Sequence, residues 1–316
     1  MRVIVLGGAG YSGSVLVREL LARGDEVVVV DTFWFGDWLE GHDNLRKITC
    51  DIRDTNLLPQ ERFDAVVHLA NIANDPGVEL SPVLSWEVNV LATQRVAEWA
   101  IAQGIPHFIY ASSGSVYGVK DEDKVTEDLS LVPISAYNKT KMVAERVLIS
   151  YQDHFHLHVI RPATICGVSP RMRFDLTVNL LTLQAVTAGR ITVFGGDQVR
   201  PNIHVDDIAR VYLHFLDHPS IQSGLYNAGF ENLAVQEIAE MITARVPAEI
   251  IVSASNDPRS YRVDSAKLAA TGFAPKKSVG HAIGELVKYC NSADDLERPE
   301  WLTVSTLKRL GLSEER

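Results

Sequence analysis

Residues 2–7, RVIVLG, run directly into the glycine-rich GGAGYSG and then into the amphipathic SGSVLVRELLARG, residues 12–24. A short β-branched apolar run of this kind suits a strand buried on both faces of a parallel sheet. Where it feeds a helix through a glycine turn, it begins a βαβ unit. The rhythm recurs in EVVVVD (26–31), AVVHLA (65–70), HFIYAS (107–112) and LHVIRP (157–162), with VLSWEVNVLATQRVAEWAIAQG (83–104) read as one helix stopped by Gly104. The pattern predicts an α/β fold built on a doubly wound parallel sheet over residues 1–166.

Beyond residue 166 the rhythm loosens. GVSPRMRFD reads as a loop, TVNLLTLQAVTAG as a helix, and ITVFGGDQVRPNIHVDDIARVYLHFLDH as strand, turn and helix. We expect residues 167–316 to form a smaller mixed α/β, substrate-binding region, with about 202–228 packing back on the first domain. Residues 291–316 read as an appended arm with a short terminal helix.

A chain of 316 residues, 46% of them hydrophobic, can bury a core for such an architecture. No apolar run reaches the roughly 18 residues of a membrane span, and no signal-peptide pattern precedes the first strand. The expectation is a soluble, cytoplasmic protein. Cys50, Cys166 and Cys290 lie far apart with no metal-ligand spacing, which supports neither a disulfide framework nor a metal site. A formal charge of -10 argues against nucleic acid as a partner.

The loop places Gly7, Gly10 and Gly13 at GxxGxxG spacing, with Tyr11 and Ser12 between the last two. Glycines there let the backbone approach a pyrophosphate at a helix N-terminus, where free N–H groups and the helix dipole favour anions. Asp31 closes the second strand, 18 residues beyond Gly13. A carboxylate there accepts hydrogen bonds from the adenosine ribose and repels a 2′-phosphate, so the Rossmann-type site is expected to take NAD. After a third strand, CDIRD (50–54) offers Asp51 and Ile52 to the adenine. It reads equally as an ordinary helix start with Asp54 near the cap.

In PISAYNKTKMVAE (133–145), Tyr137 and Lys141 stand four residues apart, on one face of a helix. YASSGSVYG (110–118) places Ser112 and Ser113 at the carboxyl end of a strand, where an open parallel sheet holds its ligand. A phenol of ordinary pKa about 10 is a poor base at neutral pH, but an ammonium about 4 Å away is worth about 4 kcal/mol, or about three pKa units. The pair thus suits proton transfer beside a nicotinamide, with Lys141 also able to hold the nicotinamide ribose. The spacing alone also fits a surface tyrosine stacked on a lysine stem.

Taken in order, GGAGYSG, VVVVD, DIRD, HLAN, VNVLAT, SSGSVYG, YNKTK, RPATICG, RPNIHVDD and YNAG resemble the extended short-chain dehydrogenase/reductases of the nucleotide-sugar epimerase/dehydratase branch, over nearly the whole chain. The resemblance implies Ser113 as catalytic hydroxyl, Tyr137 as acid/base and Lys141 as its partner. It further implies Leu69, Ala70, Asn89 and Pro162 of RPA near the cofactor, Asn179 against the nucleotide diphosphate, and Arg200 paired with that diphosphate. Arginine suits the last role because its planar fork grips phosphate oxygens with two hydrogen bonds.

Two departures shape the expected chemistry. Dehydratases of this branch carry an Asp-Glu pair where this chain has Gly114 and Ser115. Ala254 replaces the usual substrate arginine, leaving Arg259 or Arg262 to substitute. NDPRSYRVDSAK and SPRMRFD also resemble a subgroup of bacterial surface-polysaccharide enzymes, some similar to C4-dehydrogenases of GDP-linked heptoses, although these arginines also fit plain salt bridges.

The expected activity is an NAD-dependent nucleotide-sugar 4-epimerase. The alternatives are a C4 dehydrogenase or reductase that releases a 4-keto sugar, and a non-catalytic dinucleotide sensor, which the Ser113, Tyr137 and Lys141 set argues against. The family pairs two helices across a dimer interface. Trp86, Val90, Val96, Trp99, Met142 and Val147 are candidates for a homodimer contact here, or for wide core-facing helices.

Overall fold

The computed structural model describes residues 1–254 and 260–313. Six strands, β1 (Arg2–Leu6), β2 (Glu26–Asp31), β3 (Leu45–Thr49), β4 (Ala65–His68), β5 (His107–Ala111) and β6 (His156–Pro162), account for most of the main sheet. Most are buried end to end, which is why they read as unbroken apolar runs. Between them lie α1 (Tyr11–Ala22), α2 (Asp75–Leu80), α3 (Pro82–Trp86), α4 (Ala92–Ala102) and α5 (Ala136–Ile149).

The stretch expected as one helix over 83–104 is interrupted. Between α3 and α4 the backbone makes a π-helical turn over Glu87–Leu91. Asn89 lies in that turn, and its amide accepts from Ile72 N (2.8 Å) while donating to Ile72 O (3.1 Å) and Thr140 Oγ1 (3.0 Å). These long-range bonds tie the loop after β4 to α5, and π turns of this kind recur at functional sites.

The second half begins with β7 (Thr164–Cys166), α6 (Thr177–Ala188), β8 (Arg190–Phe194), β9 (Val199–His204), α7 (Val205–Asp217) and β10 (Gly224–Ala228). It continues through β11 (Glu231–Ala234), α8 (Val235–Thr243), β12 (Glu249–Ser253), α9 (Ala266–Ala269), α10 (Val279–Ser292) and α11 (Thr303–Arg309). The main sheet runs β3-β2-β1-β4-β5-β6-β10 and every pair in it is parallel. The chain therefore winds outward from β1 to β3 and returns to the other side of β1. That reversal opens a crevice at the carboxyl ends of β1 and β4, where sheets of this type bind ligands.

Two apolar cores cover the sheet. Ile208, Val211, Tyr212 and Phe215 of α7 pack with Val15 and Leu16 of α1 on one face. Val88, Val96, Ala144 and Leu148 lie on the other. Val90, Val96 and Trp99 are buried, so these candidates for a dimer contact face the core, whereas Val83, Trp86 and Leu91 are exposed. A third core, with α6, α8 and α10, fills the C-terminal region beside a three-stranded sheet β11-β9-β7 and the pair β12-β8. Cys50, Cys166 and Cys290 are all buried. Among the described residues no helix is long and apolar enough to cross a membrane.

Candidate functional site

A single cleft gathers the glycine loop, the end of β2, the loop after β4 and the face of α5. Gly7, Gly10, Tyr11, Ser12, Asp31, Asp51, Ile52, Leu69, Ala70, Ser112, Tyr137, Lys141 and Pro162 line it. Gly7 has φ +80°, and a Cβ there would lie 2.5 Å from Ala70 N, so this turn and the loop after β4 meet backbone to backbone. Gly13 lies behind the cleft wall. A Cβ on it would lie 2.4 Å from Gly7 O, so its absence lets α1 begin directly under the loop.

The Asp31 carboxylate accepts hydrogen bonds from Ala9 N (3.0 Å) and Phe33 N (2.9 Å). Burial pushes its carboxyl upward and these N–H bonds oppose the rise. The carboxylate thus stands at the end of β2 beside the loop, the arrangement a dinucleotide ribose requires. Asp51 is gripped by Arg53, which also bonds Glu87, and Asp54 caps the turn Thr55–Leu57 by accepting from Asn56 N.

At the other end of the cleft, Ser135 caps α5 by accepting from Asn138 N, which sets the register that brings Tyr137 and Lys141 to one face. The Tyr137 phenol has the Ser113 hydroxyl as a polar neighbour. Burial pushes the phenol up to about 12, against the Ser113 hydroxyl beside it and the positive charge of Arg173. Lys141 Nζ donates to Ala111 O (2.8 Å) and Tyr110 Oη (3.4 Å) and lies 4.9 Å from the Tyr110 ring centroid. Burial brings it down to about 7, opposed by Glu145. The expectation that Lys141 depresses Tyr137 is therefore not met in the protein alone. Burial disfavours both charges, and the lysine proton is shared with β5 instead.

A buried framework holds this end in place. Arg161 Nε and Nη2 donate to the two carboxylate oxygens of Glu145 (2.9 and 2.7 Å), Nη1 donates to Tyr117 Oη (2.7 Å), and Ser112 Oγ donates to Glu145. The serine strand end, α5 and β6 are thereby locked together.

Residues 3–229, more than half of the chain, match the NAD dependent epimerase/dehydratase family. The chain belongs to that family. It is 28% identical over 305 residues to a UDP-glucose 4-epimerase of Lactobacillus helveticus, covering 87% of this chain and 92% of the relative. A Thermus thermophilus UDP-glucose 4-epimerase in complex with NAD superposes with a TM-score of 0.80 at 27% identity, over 93% of this chain and 100% of that one. A dTDP-glucose 4,6-dehydratase from Streptomyces venezuelae with NAD bound superposes at 0.84 with 25% identity, over 92% and 98%.

The other candidate residues of this epimerase/dehydratase family enzyme are dispersed. Asn89 and Asn179 do not line the cleft. Asn179 is fully buried, accepting from Gly167 N (3.0 Å) and donating to Tyr11 Oη (3.0 Å) and Arg173 O (2.8 Å). Ser113 is not among the residues lining the cleft, although Ser112 is, and it is bonded to Ser115 Oγ (2.7 Å). Arg200 on β9 and Arg262 are not among the residues lining the cleft; the Arg262 side chain is exposed and its carbonyl accepts from Val125 N. Arg259 lies outside the described residues. His204, Asp206 and Glu285 converge as metal ligands do, but Lys277 Nζ lies 2.6 Å from the carboxylates of both Asp206 and Glu285, filling that position with a cation.

The sequence marks Arg171 and Arg173 only as loop arginines, yet both line the cleft. The Arg171 guanidinium stacks 4.0 Å from the Phe35 ring centroid, and burial, then the Arg173 charge, bring it down to about 9. Arg173 Nε donates to Asp175 (2.9 Å). Arg171 Nε and Arg173 Nη2 are buried with no hydrogen-bond partner among the described residues. Two guanidinium groups with unsatisfied N–H beside a glycine loop fit a diphosphate. SPRMR in the loop after β7 is the available signal; its spacing alone does not separate this placement from a salt-bridge pair.

Proposed function

We propose that the protein is an NAD-dependent nucleotide-sugar 4-epimerase, with the UDP-sugar named for its relatives as the first substrate class to test. The observation that carries this reading is Tyr137 and Lys141 in the same cleft as the glycine loop and Asp31. Bound NAD supplies a hydride acceptor that can also return the hydride. In this reading the positive nicotinamide of bound NAD would favour the Tyr137 phenolate, which takes the proton of the sugar C4 hydroxyl and gives it back, and Ser113 orients that hydroxyl. Lys141 supports the tyrosine and holds the nicotinamide ribose beside Pro162. Gly7, Gly10, Tyr11, Ser12 and Gly13 shape the pyrophosphate loop, Asp31 accepts from the adenosine ribose, and Asp51, Ile52, Leu69 and Ala70 wall the adenosine side. Asn89 and Asn179 act by fixing that wall and Tyr11.

Gly114 favours epimerisation over 4,6-dehydration. A Cβ on it would lie 3.2 Å from Pro162 O, which leaves a carboxylate little space at a position the dehydratase chemistry needs. We assign the sugar diphosphate to the C-terminal region, with Arg200 and Arg262 at its outer side and Arg259 as a further candidate. We also propose a homodimer through the face bearing Val83, Trp86 and Leu91, whose exposure in one chain is the reason to expect a partner copy.

The test is a panel of UDP-, GDP- and dTDP-sugars, following nicotinamide absorbance and resolving products by NMR. Inversion at C4 without net NADH supports the epimerase. Stoichiometric NADH with a 4-keto product replaces it with a dehydrogenase, and no turnover with any sugar despite bound NAD counts against both.

A further inference from the structure

The arm after α10 is built across the cofactor cleft. Trp301 is buried in the C-terminal core, against Phe174 with ring centroids 5.6 Å apart. Six residues later, Leu307 is buried in the other region, in the core beneath the main sheet. Between these anchors Thr303, and at the second anchor Leu307, line the cleft directly.

The crossing is tied down at both rims. Phe174 N donates to Trp301 O (3.0 Å) and Thr303 N donates to the Asp175 carboxylate (3.2 Å). The same carboxylate receives Arg173 Nε and Asn74 Nδ2 (3.0 Å), so one acid joins the strap, the arginine loop and the loop before α2. Toward the adenosine side, Arg298 lies over the Trp38 ring at 5.4 Å and over Trp301 at 5.6 Å. The β2–β3 loop is thereby drawn under the strap as well.

We propose that residues 298–312 form a strap that holds the dinucleotide in its cleft, with Thr303 and Leu307 as its inner surface, so that cofactor leaves only when the strap lifts. The inference rests on the reading of the cleft as the NAD site. Retention through turnover suits a reaction in which the hydride leaves and returns within one cycle. An element fixed by one apolar anchor in each core opens when either anchor is weakened, because such local openings have their own free energies below that of global unfolding.

The test measures NAD release from the full-length holoenzyme by rapid gel filtration and nucleotide chromatography, with no sugar present. Leu307→Glu is expected to speed release by about ten-fold or more. A clip gives the opposite change: a Cβ at Gly77 would lie 3.3 Å from Thr303 Cγ2, a γ position that a cysteine sulfur can take, so the two sites lie side by side. The double variant Gly77→Cys, Thr303→Cys should therefore slow release when oxidised and recover when reduced. An oxidised clip that releases NAD at the reduced rate overturns the proposal, even if Leu307→Glu has unfolded. NAD retained behind the strap by a protein that turns over no sugar would support the strap while removing the epimerase reading; a protein that binds no dinucleotide removes both.

Discussion

Lys141 is buried with 1% of its surface exposed, and burial lowers it to about 7 from an ordinary value of 10.5. At about 1.36 kcal/mol per pH unit, that difference is roughly 4–5 kcal/mol of folding free energy forgone where the ammonium must be buried charged. Lys141→Met removes the charge and keeps much of the volume, at the cost of about 1–2 kcal/mol for the lost hydrogen bond to Ala111 O. A net gain of about 2–4 kcal/mol follows, which for 316 residues at about 2.1 cal/mol/K each raises Tm by roughly 3–6 °C. The sign with pH is fixed. Below about 7 both folded and unfolded lysine are protonated and the penalty is complete. As pH rises toward 10.5 the unfolded chain binds more protons than the folded one, so wild-type stability climbs toward the variant. Melting curves of the cofactor-free proteins from about pH 6.5 to about 9.5 should show the gap narrowing, while turnover of the variant falls by about 100-fold or more. A variant less stable than wild type across the range, or a gap independent of pH, would refute the account of Lys141 as a buried, unfavourable charge.

Three further outcomes follow from the geometry. Gly13→Ala places a methyl 2.4 Å from Gly7 O and should abolish NAD binding by calorimetry while leaving most of the far-UV circular dichroism. Asp31→Ser should weaken NAD and admit NADP, lowering the ratio of their affinities by about ten-fold or more; an unchanged ratio would remove Asp31 from the ribose site. Arg161→Met strands the Glu145 carboxylate, which is 1% exposed, and should cost about 3–5 kcal/mol in urea unfolding, with Glu145→Leu added on top restoring most of it.

What the sequence discloses here depends on how local its cause is. Strands such as EVVVVD and AVVHLA are legible because burial on both faces writes itself into consecutive residues. The glycine loop is legible because each glycine answers a backbone approach within a short span or to the next strand's loop, as Gly13 does to Gly7. The turn at Glu87–Leu91 is not, since its helix-like composition is redirected by Asn89 bonding a loop 17 residues upstream. Tyr137 and Lys141 are legible as neighbours on a helix, yet their protonation is not. Spacing gives the distance between two groups but not their burial or the competing acceptors on β5, and here those reverse the expected direction for the tyrosine. The arginines of SPRMR and the strap after α10 mark the limit in another way. Asp175 stands next to both in space because Thr303 reaches it across 128 residues, and no periodicity records a contact of that separation. An anionic ligand can therefore be anticipated from the first half of the chain, while the groups that enclose it come from the second half and are found only by folding it.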